Sequence, residues 1–375
     1  MAGKNLASKY SSKVDERFTK VSQASMALNN DYEFTGVDTV KVFSIPVVPM
    51  GNYSRSGSNR YGTPSDLQRN VQTMKINRDR SFSFVIDKGD KIQSQMVSDA
   101  GKALSRQINE VWIPEYDAYV FRTLAHAATV RGGFSDKAIT KANAYECFLA
   151  GQEWLGDHNV PDTGRVAFCS YKYANFLKQD PAFMRYGDKS QDMLIKGVIG
   201  EVDGTKIAKV PSSRLPAGCA FILTHPSAAT APKQLEDYKI HDNPPGINGW
   251  LVEGRCIYDC FVLDEKADAV YYHGSQGVLK ALTVMTAPGA TGTTQVIIIT
   301  EPEGNHTFAY KTFAGNAAPE VTYGTAITVG GSGNFTAVTS GTQISVPEGH
   351  DHIVVVEIDS EKKPIGAARA GINVG

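Results

Sequence analysis

From Phe82 to Ile86 apolar and polar side chains alternate strictly, which is the pattern of a half-buried strand. A charged turn follows at Asp87 to Lys91. Ile92, Met96, Ala100, Leu104, Ile108 and Val111 then recur at i, i+4, with Ala103 and Gln107 alongside, and predict a helix with a narrow apolar stripe. Gly101 weakens that helix, and Pro114 should kink it or mark its first break. The pattern resumes through Tyr116, Tyr119, Val120, Thr123 and Leu124 and ends at Arg131-Gly132-Gly133. About 35 helical residues measure roughly 50 Å, longer than a compact domain usually needs. An exposed strand feeding such a beam, with no catalytic motif nearby, suggests a protein built to pair with copies of itself.

Before this stretch, residues 1–38 are polar and cannot bury much alone. They read as an arm, with Phe18, Val21, Met26 and Leu28 as anchors. Residues 39–91 read as a long two-stranded hairpin. Val40, Val42, Phe43, Ile45, Val47 and Val48 form the outgoing strand, which Pro46 and Pro49 confine to an edge. Met74, Ile76, Phe82, Phe84 and Ile86 share one face of the return strand, interrupted by Arg78 and Arg80.

After the beam (92–133) the texture is mixed α/β. A helix is predicted over Ser135–Leu155, a buried strand over Arg165–Ser170 and a helix over Tyr171–Lys178. Gly197–Pro211 reads as a hairpin turning at Asp203-Gly204, and Cys219–Thr224 as a strand. Trp250–Val262 and Ala269–Tyr272 read as two closing strands. From about Leu282 helical patterns vanish and short strands recur at 282–285, 295–300, 307–311, 326–329, 342–346 and 353–359. These predict an immunoglobulin-like β-sandwich of about ninety residues.

The chain has 375 residues, 42 % of them hydrophobic, enough for two or three domains. Its net charge of −1 excludes a strong overall field for nucleic acid or membrane. No apolar run is long enough to span a bilayer, and MAGKNLASKYSSKVDERF has no apolar signal core, so intracellular synthesis is expected. Five cysteines at irregular spacing argue for buried thiols over a disulfide framework. The charge is uneven, however. Lys41 to Lys91 holds nine basic and four acidic residues, whereas the C-terminal segment holds four basic and eight acidic. The hairpin therefore needs an acidic surface to lie on. Arg55, Arg60, Arg69, Arg78 and Arg80, with Phe18 in the arm, are the candidate intersubunit contacts. Their alternatives are scattered surface arginines, or nucleic-acid binding without the aromatic interleaving that usually accompanies it.

No motif for chemistry survives its context. Asp162-Thr163-Gly164 has no second triplet and sits where a turn is expected. His350-Asp351-His352 lacks a third ligand and fits a hairpin end. Gly197, Gly200 and Gly204 lie in a strand–turn–strand context with no Lys-Ser/Thr, so they form no phosphate loop. No nucleophile–base pair stands out. The expectation is a protein with no enzymatic activity, no cofactor and no metal.

The order of arm, long hairpin, kinked helix, α/β unit and closing strands resembles the major capsid proteins of tailed bacteriophages, with the Hong Kong-97-type fold. Four segments carry the resemblance: FVIDKGDKIQSQ at Phe84–Gln95, WIPEYDAYVFRTLA at Trp112–Ala125, GVIGEVDGTKIAKVPSSRLP at Gly197–Pro216 and EGRCIYDCFVLDEKADAVYYH at Glu253–His273. It covers residues 1 to 280. It implies an α+β fold with an N-terminal arm (1–38), an extended loop (39–91), a spine helix (92–133) and an axial domain (134–250). Closing strands of the peripheral domain (251–281) follow, and the sandwich (282–375) is an accessory domain. The resemblance further implies a virion protein, assembled in the bacterial host cytoplasm into an icosahedral head of hexamers and pentamers. Double-stranded DNA would lie non-specifically on the inner face, portal and scaffolding proteins would be partners, and no membrane would be involved. The competing readings are an encapsulin-like compartment, which shares the fold but encloses protein cargo, and a surface adhesion protein acting through its C-terminal domain.

Overall fold

The computed structural model describes residues 22–32, 39–45, 47–64, 66, 69–89, 100–185 and 201–375. Phe18, Val21, Pro46, Ile92, Met96, Gly197 and Gly200 lie outside these. Of the expected arm anchors that are described, Leu28 packs on the main core while Met26 is exposed, and the small Ala24 and Ala27 are the fully buried residues.

The alternation around Phe82 is a strand, but the return side of the hairpin is not continuous. β1 (Thr39–Ser44) pairs antiparallel with β2 (Asn70–Lys75), placing Phe43 opposite Val71. The chain breaks at Ile76-Asn77, where the Asn77 N–H donates to Asp259 Oδ2 at 2.8 Å. β3 (Arg78–Asp87) then leaves the hairpin and joins a different sheet. The two-stranded excursion therefore ends at Lys75.

The long helix is described from Ala100 and runs Ala100–Gln107, through one wider π turn at Ile108–Trp112, into Ile113–Arg131. Pro114 explains the π turn. Its nitrogen has no hydrogen and its ring crowds the carbonyl four residues back. The wider turn puts proline in the first turn of the next helical segment, where a missing N–H costs nothing. Gly132 closes the helix at φ +84° and donates its N–H to Thr129 O. The described 32 residues extend about 48 Å.

Ten strands follow or join this frame: β4 (Phe134–Ser135), β5 (Val166–Ser170), β6 (Glu201–Val202), β7 (Thr205–Val210), β8 (Cys219–Thr224), β9 (Ala229–Thr230), β10 (Lys233–Asp242), β11 (Gly249–Tyr258), β12 (Phe261–Val262) and β13 (Val270–Gly274). A six-stranded sheet has the order β4-β13-β8-β5-β7-β6. Its β6–β7 turn is the expected two-residue one, with Asp203 and Gly204 both at positive φ. One face packs Phe168, Ile222 and Tyr272 against Phe121 and Leu124 of the long helix. The other packs Ala167, Phe221 and Leu223 against the helices Ala144–Asp157 and Tyr171–Gln179.

The helix predicted from Ser135 starts only at Ala144. Asn143 Oδ1 accepts from the Thr140 N–H and hydroxyl (2.7 and 3.0 Å), closing a turn there instead. The closing strands also divide. β13 lies inside the six-stranded sheet, whereas β11 is the centre of a β10-β11-β3 sheet. β10, which the sequence pattern does not reveal, is an edge strand with charges on both faces.

The C-terminal strands are β14 (Lys280–Ala281), β15 (Val284–Pro288), β16 (Thr293–Ile298), β17 (Thr307–Phe313), β18 (Thr336–Val338), β19 (Gln343–Ser345), β20 (His352–Ile358) and β21 (Pro364–Gly371). They form a five-stranded sheet β14-β21-β20-β17-β18 facing a three-stranded sheet β15-β16-β19. Val296, Ile298, Phe308, Ile344, Ile353 and Val355 fill the space between. The strand expected over 326–329 is a single bridge from Val329 to Phe335, and this loop covers the second face of β20.

Replacing Gly132 by alanine forces a β-carbon into the left-handed region and should destabilise the protein by about 1–2 kcal/mol. Urea unfolding should show this as a lower midpoint with an unchanged slope.

Candidate intersubunit surfaces

At 3.6 residues per turn, positions 115, 119, 122 and 126 of the long helix share one stripe and position 117 faces the opposite way. The stripe meets the hairpin base and the sandwich. Glu115 Oε1 accepts Arg80 Nε at 2.8 Å and Arg78 Nη2 at 3.3 Å, and Oε2 accepts Arg80 Nη2 at 3.3 Å. Arg78 lies 4.3 Å above the Tyr119 ring and 5.6 Å from that of Tyr258. Burial acts to lower the Arg78 pKa, but Tyr258, Tyr119 and Glu115 outweigh it and hold the guanidinium charged. The Tyr119 hydroxyl donates to Asp259 at 2.5 Å, and burial raises the pKa of that carboxyl against the pull of its donors. Arg78 is thus engaged within the subunit, and Arg80 is paired with Glu115 while its side chain stays 56 % exposed. They interrupt the apolar face of β3 because that face lies over the helix, where Glu115 receives both.

On the opposite side Asp117 is fully buried. Arg214 Nη1 donates to its Oδ2 at 2.7 Å, the Ser22 hydroxyl to Oδ1 at 2.6 Å, and the backbone N–H groups of Gln23 and Ala24 complete the shell. Asn29 then pairs with Ala229 and Thr230, so residues 22–29 are seated on the subunit. Neither Asp117 nor Arg214 stands out from sequence spacing. The available signal is an acid at the head of the buried stripe Phe121, Leu124 and Ala128.

The hairpin is seated by one face only. Val40, Val42 and Met74 pack on Leu263 and Phe261, and the Gln72 side chain bonds Val262 O and the Asp264 N–H. Among the described residues nothing covers the other side. Phe43 is 61 % exposed, Ile45 69 %, Val47 93 % and Met50 99 %. Fully burying each such side chain is worth about 1.5–3 kcal/mol, so this continuous apolar strip is a surface without its partner. Arg55, Arg60 and Arg69 lie along the same tip, all exposed, with no carboxylate partner among the described residues. Arg60 bonds only the tip itself, through Gly57 O at 3.2 Å. Lys41 to Lys75 carries five basic residues and one acidic, net +4 against −1 for the whole chain, which leaves −5 on the remainder. Another copy of this chain therefore offers the complementary charge.

The motif candidates have ordinary neighbours. Asp162 is exposed in a turn and pairs with Arg165, whose guanidinium also bonds the carbonyls of Val160 and Pro161. His350 bonds Thr312, Asp351 accepts the Gly315 N–H, and His352 stacks on Phe313. Among the described residues no three His, Cys, Asp or Glu side chains are placed to hold a metal. All five cysteines are free, and burial pushes the thiols of Cys169, Cys219 and Cys260 upward, away from reactivity.

No protein-family model and no curated protein matches the chain. Solved structures do. A chain from Mycobacterium phage Che8 superposes with a TM-score of 0.61 at 17 % identity, covering 74 % of this chain and 100 % of that one. The capsid structure of the cyanophage P-SCSP1u matches at 0.57 and 12 % identity, over 72 % and 93 %. The mature capsid of bacteriophage PhiM1 matches at 0.56 and 12 % identity, over 73 % and 94 %. The fold is that of phage capsid chains. The unmatched share is about the size of the C-terminal sandwich.

Removing Asp117 leaves Arg214 buried without its counter-charge. Asp117→Ala should therefore cost about 3–5 kcal/mol in denaturant unfolding. Arg255→Ala, which removes only an exposed pair with Asp79, should leave the midpoint where it was.

Proposed function

We propose that this chain is the major capsid protein of a tailed bacteriophage, and that copies of it assemble as hexamers and pentamers into an icosahedral head around double-stranded DNA. The observation that carries this reading is the capsid fold, matched over nearly the whole length of chains from phage structures. The uncovered hairpin supports it independently. Its basic, apolar outer face lacks a partner among the described residues of the subunit, and the rest of another copy is acidic. A shell needs many modest interfaces that can rearrange, and an extended ribbon supplies contact area without a larger core. Charged contacts set register and leave early association reversible.

On this reading the role is structural, with no catalytic step. The head is assembled in the host cytoplasm, with portal and scaffolding proteins as further partners and DNA held non-specifically on the inner face. The sandwich, read as an immunoglobulin-like accessory domain, carries net negative charge and belongs outside, away from the DNA.

Light scattering and negative-stain imaging of the purified protein should show capsomers or closed particles, far above the 40.5 kDa of one chain. Particles recovered from infected cells should protect double-stranded DNA from nuclease. Protein cargo in place of DNA would favour the encapsulin-like compartment. Phe43→Ser combined with Met50→Ser should abolish assembly and leave the circular dichroism of the subunit unchanged. Normal particles from that variant would remove the hairpin from the account.

A further inference from the structure

The long helix and the sandwich are joined through a short run of backbone. Thr129 Oγ1 accepts the Val278 N–H at 3.3 Å, and His126 Nδ1 lies 2.8 Å from Val278 O. Arg122 donates to the carbonyls of Leu279 (2.8 Å), Lys280 (3.2 Å) and Ala367 (3.2 Å). A carbonyl only accepts, so Nδ1 of His126 carries the proton and Nε2 is bare in the neutral ring. The groups facing that ring come from three elements. Arg122 is one turn back on its own helix, Lys280 is on β14 at the edge of the sandwich, and Glu303 and Tyr323 are on the sandwich loops. Glu303 is already bonded to Lys280. Its own N–H donates to the fully buried Glu357, which also takes His306 at 3.1 Å. The loop that presents Glu303 is thereby fixed to β20, so the sandwich meets the helix as one rigid face.

We infer that this joint is an acid-sensitive latch, in which a proton on Nε2 of His126 sets a third cation beside Arg122 and Lys280 and frees the still-folded sandwich from the long helix. Burial is the largest influence on the ring and holds its pKa below the ordinary 6.5 against the Val278 carbonyl and Glu303, which favour the charged ring, while Lys280 and Arg122 add smaller effects in the direction of burial. The docked state thus prefers the neutral ring. Docking is fully supported above pH 6.5 and weakens as pH falls from there through the lowered value. Burial acts to raise the Glu303 pKa, but the bond and charge of Lys280 outweigh it and hold the carboxyl below its ordinary 4.5. Its pairing with Lys280 survives to lower pH, so this ion pair is not what gives way as the His126 ring takes its proton. One proton can change the docking equilibrium by at most about tenfold at pH 5.5. This device lies outside the hairpin and does not depend on shell assembly.

Hydrogen exchange of the full-length subunit at pH 7.5, 6.5 and 5.5, corrected for the intrinsic rate, tests it. The amide of Val278, bonded to Thr129 of the helix, should lose about three- to tenfold of its protection across this range, while those of Leu282, bonded to Ala367 within the sandwich, and of β20 keep theirs. His126→Gln keeps a donor for Val278 O but cannot take a charge, and should flatten the dependence. Constant protection in the wild type, an unchanged dependence in His126→Gln, or loss of protection by β20 in step with the linker would each overturn the inference. So would a His126 titration by NMR at or above pH 6.5 in the intact subunit, a readout that needs no variant.

Discussion

The structure depends on one constraint, the burial of charge along both sides of a single helix. Within twelve residues the long helix carries Glu115, Asp117, Arg122 and His126, and each is satisfied by a different part of the chain. β3 supplies Arg78 and Arg80, and the arm and Arg214 enclose Asp117. The linker and β21 receive Arg122, and Val278 receives His126. An ion pair taken out of water is a poor source of net stability but is costly to break. Its effect here is positional: the hairpin base, arm, six-stranded sheet and sandwich are all referenced to one rod. Helical periodicity makes this possible by sending 115, 119, 122 and 126 to one side and 117 to the other.

The hairpin follows a different logic. Its base is bolted by Asn77, Gln72 and Met74, so its direction is set by the subunit. On its outer side Phe43, Ile45, Val47 and Met50 are as apolar as a core strip and as exposed as a loop. Such an apolar ribbon with excess positive charge, uncovered among the described residues, is what the proposed shell contact rests on.

Much of this was legible in the sequence where the determinants are local. The alternation around Phe82, the Asp203-Gly204 turn, the strand Cys219–Thr224 and the glycine stop at Gly132 depend on neighbours a few residues away, and all were readable. The kink at Pro114 was readable as a break, though not as a π turn. Distant determinants were not readable. Glu115 lies 35 residues from Arg80, and Arg214 lies 97 from Asp117, so no spacing rule connects them. That is why the pairing of Arg78 and Arg80 with Glu115 inside the subunit has no signal in the sequence. β10 escaped because an edge strand with polar residues on both faces has no period-2 signal, and β21 because Pro, Gly and Ala dominate it.

On the proposed reading a sister subunit closes the outer face of the hairpin. Electron cryo-microscopy of purified particles, at a resolution that shows side chains, measures this directly. The account expects Phe43, Ile45 and Met50 buried against another copy, with Arg55, Arg60 and Arg69 near its carboxylates. A closed particle in which that face stays in solvent, or turns back onto its own subunit, would contradict it.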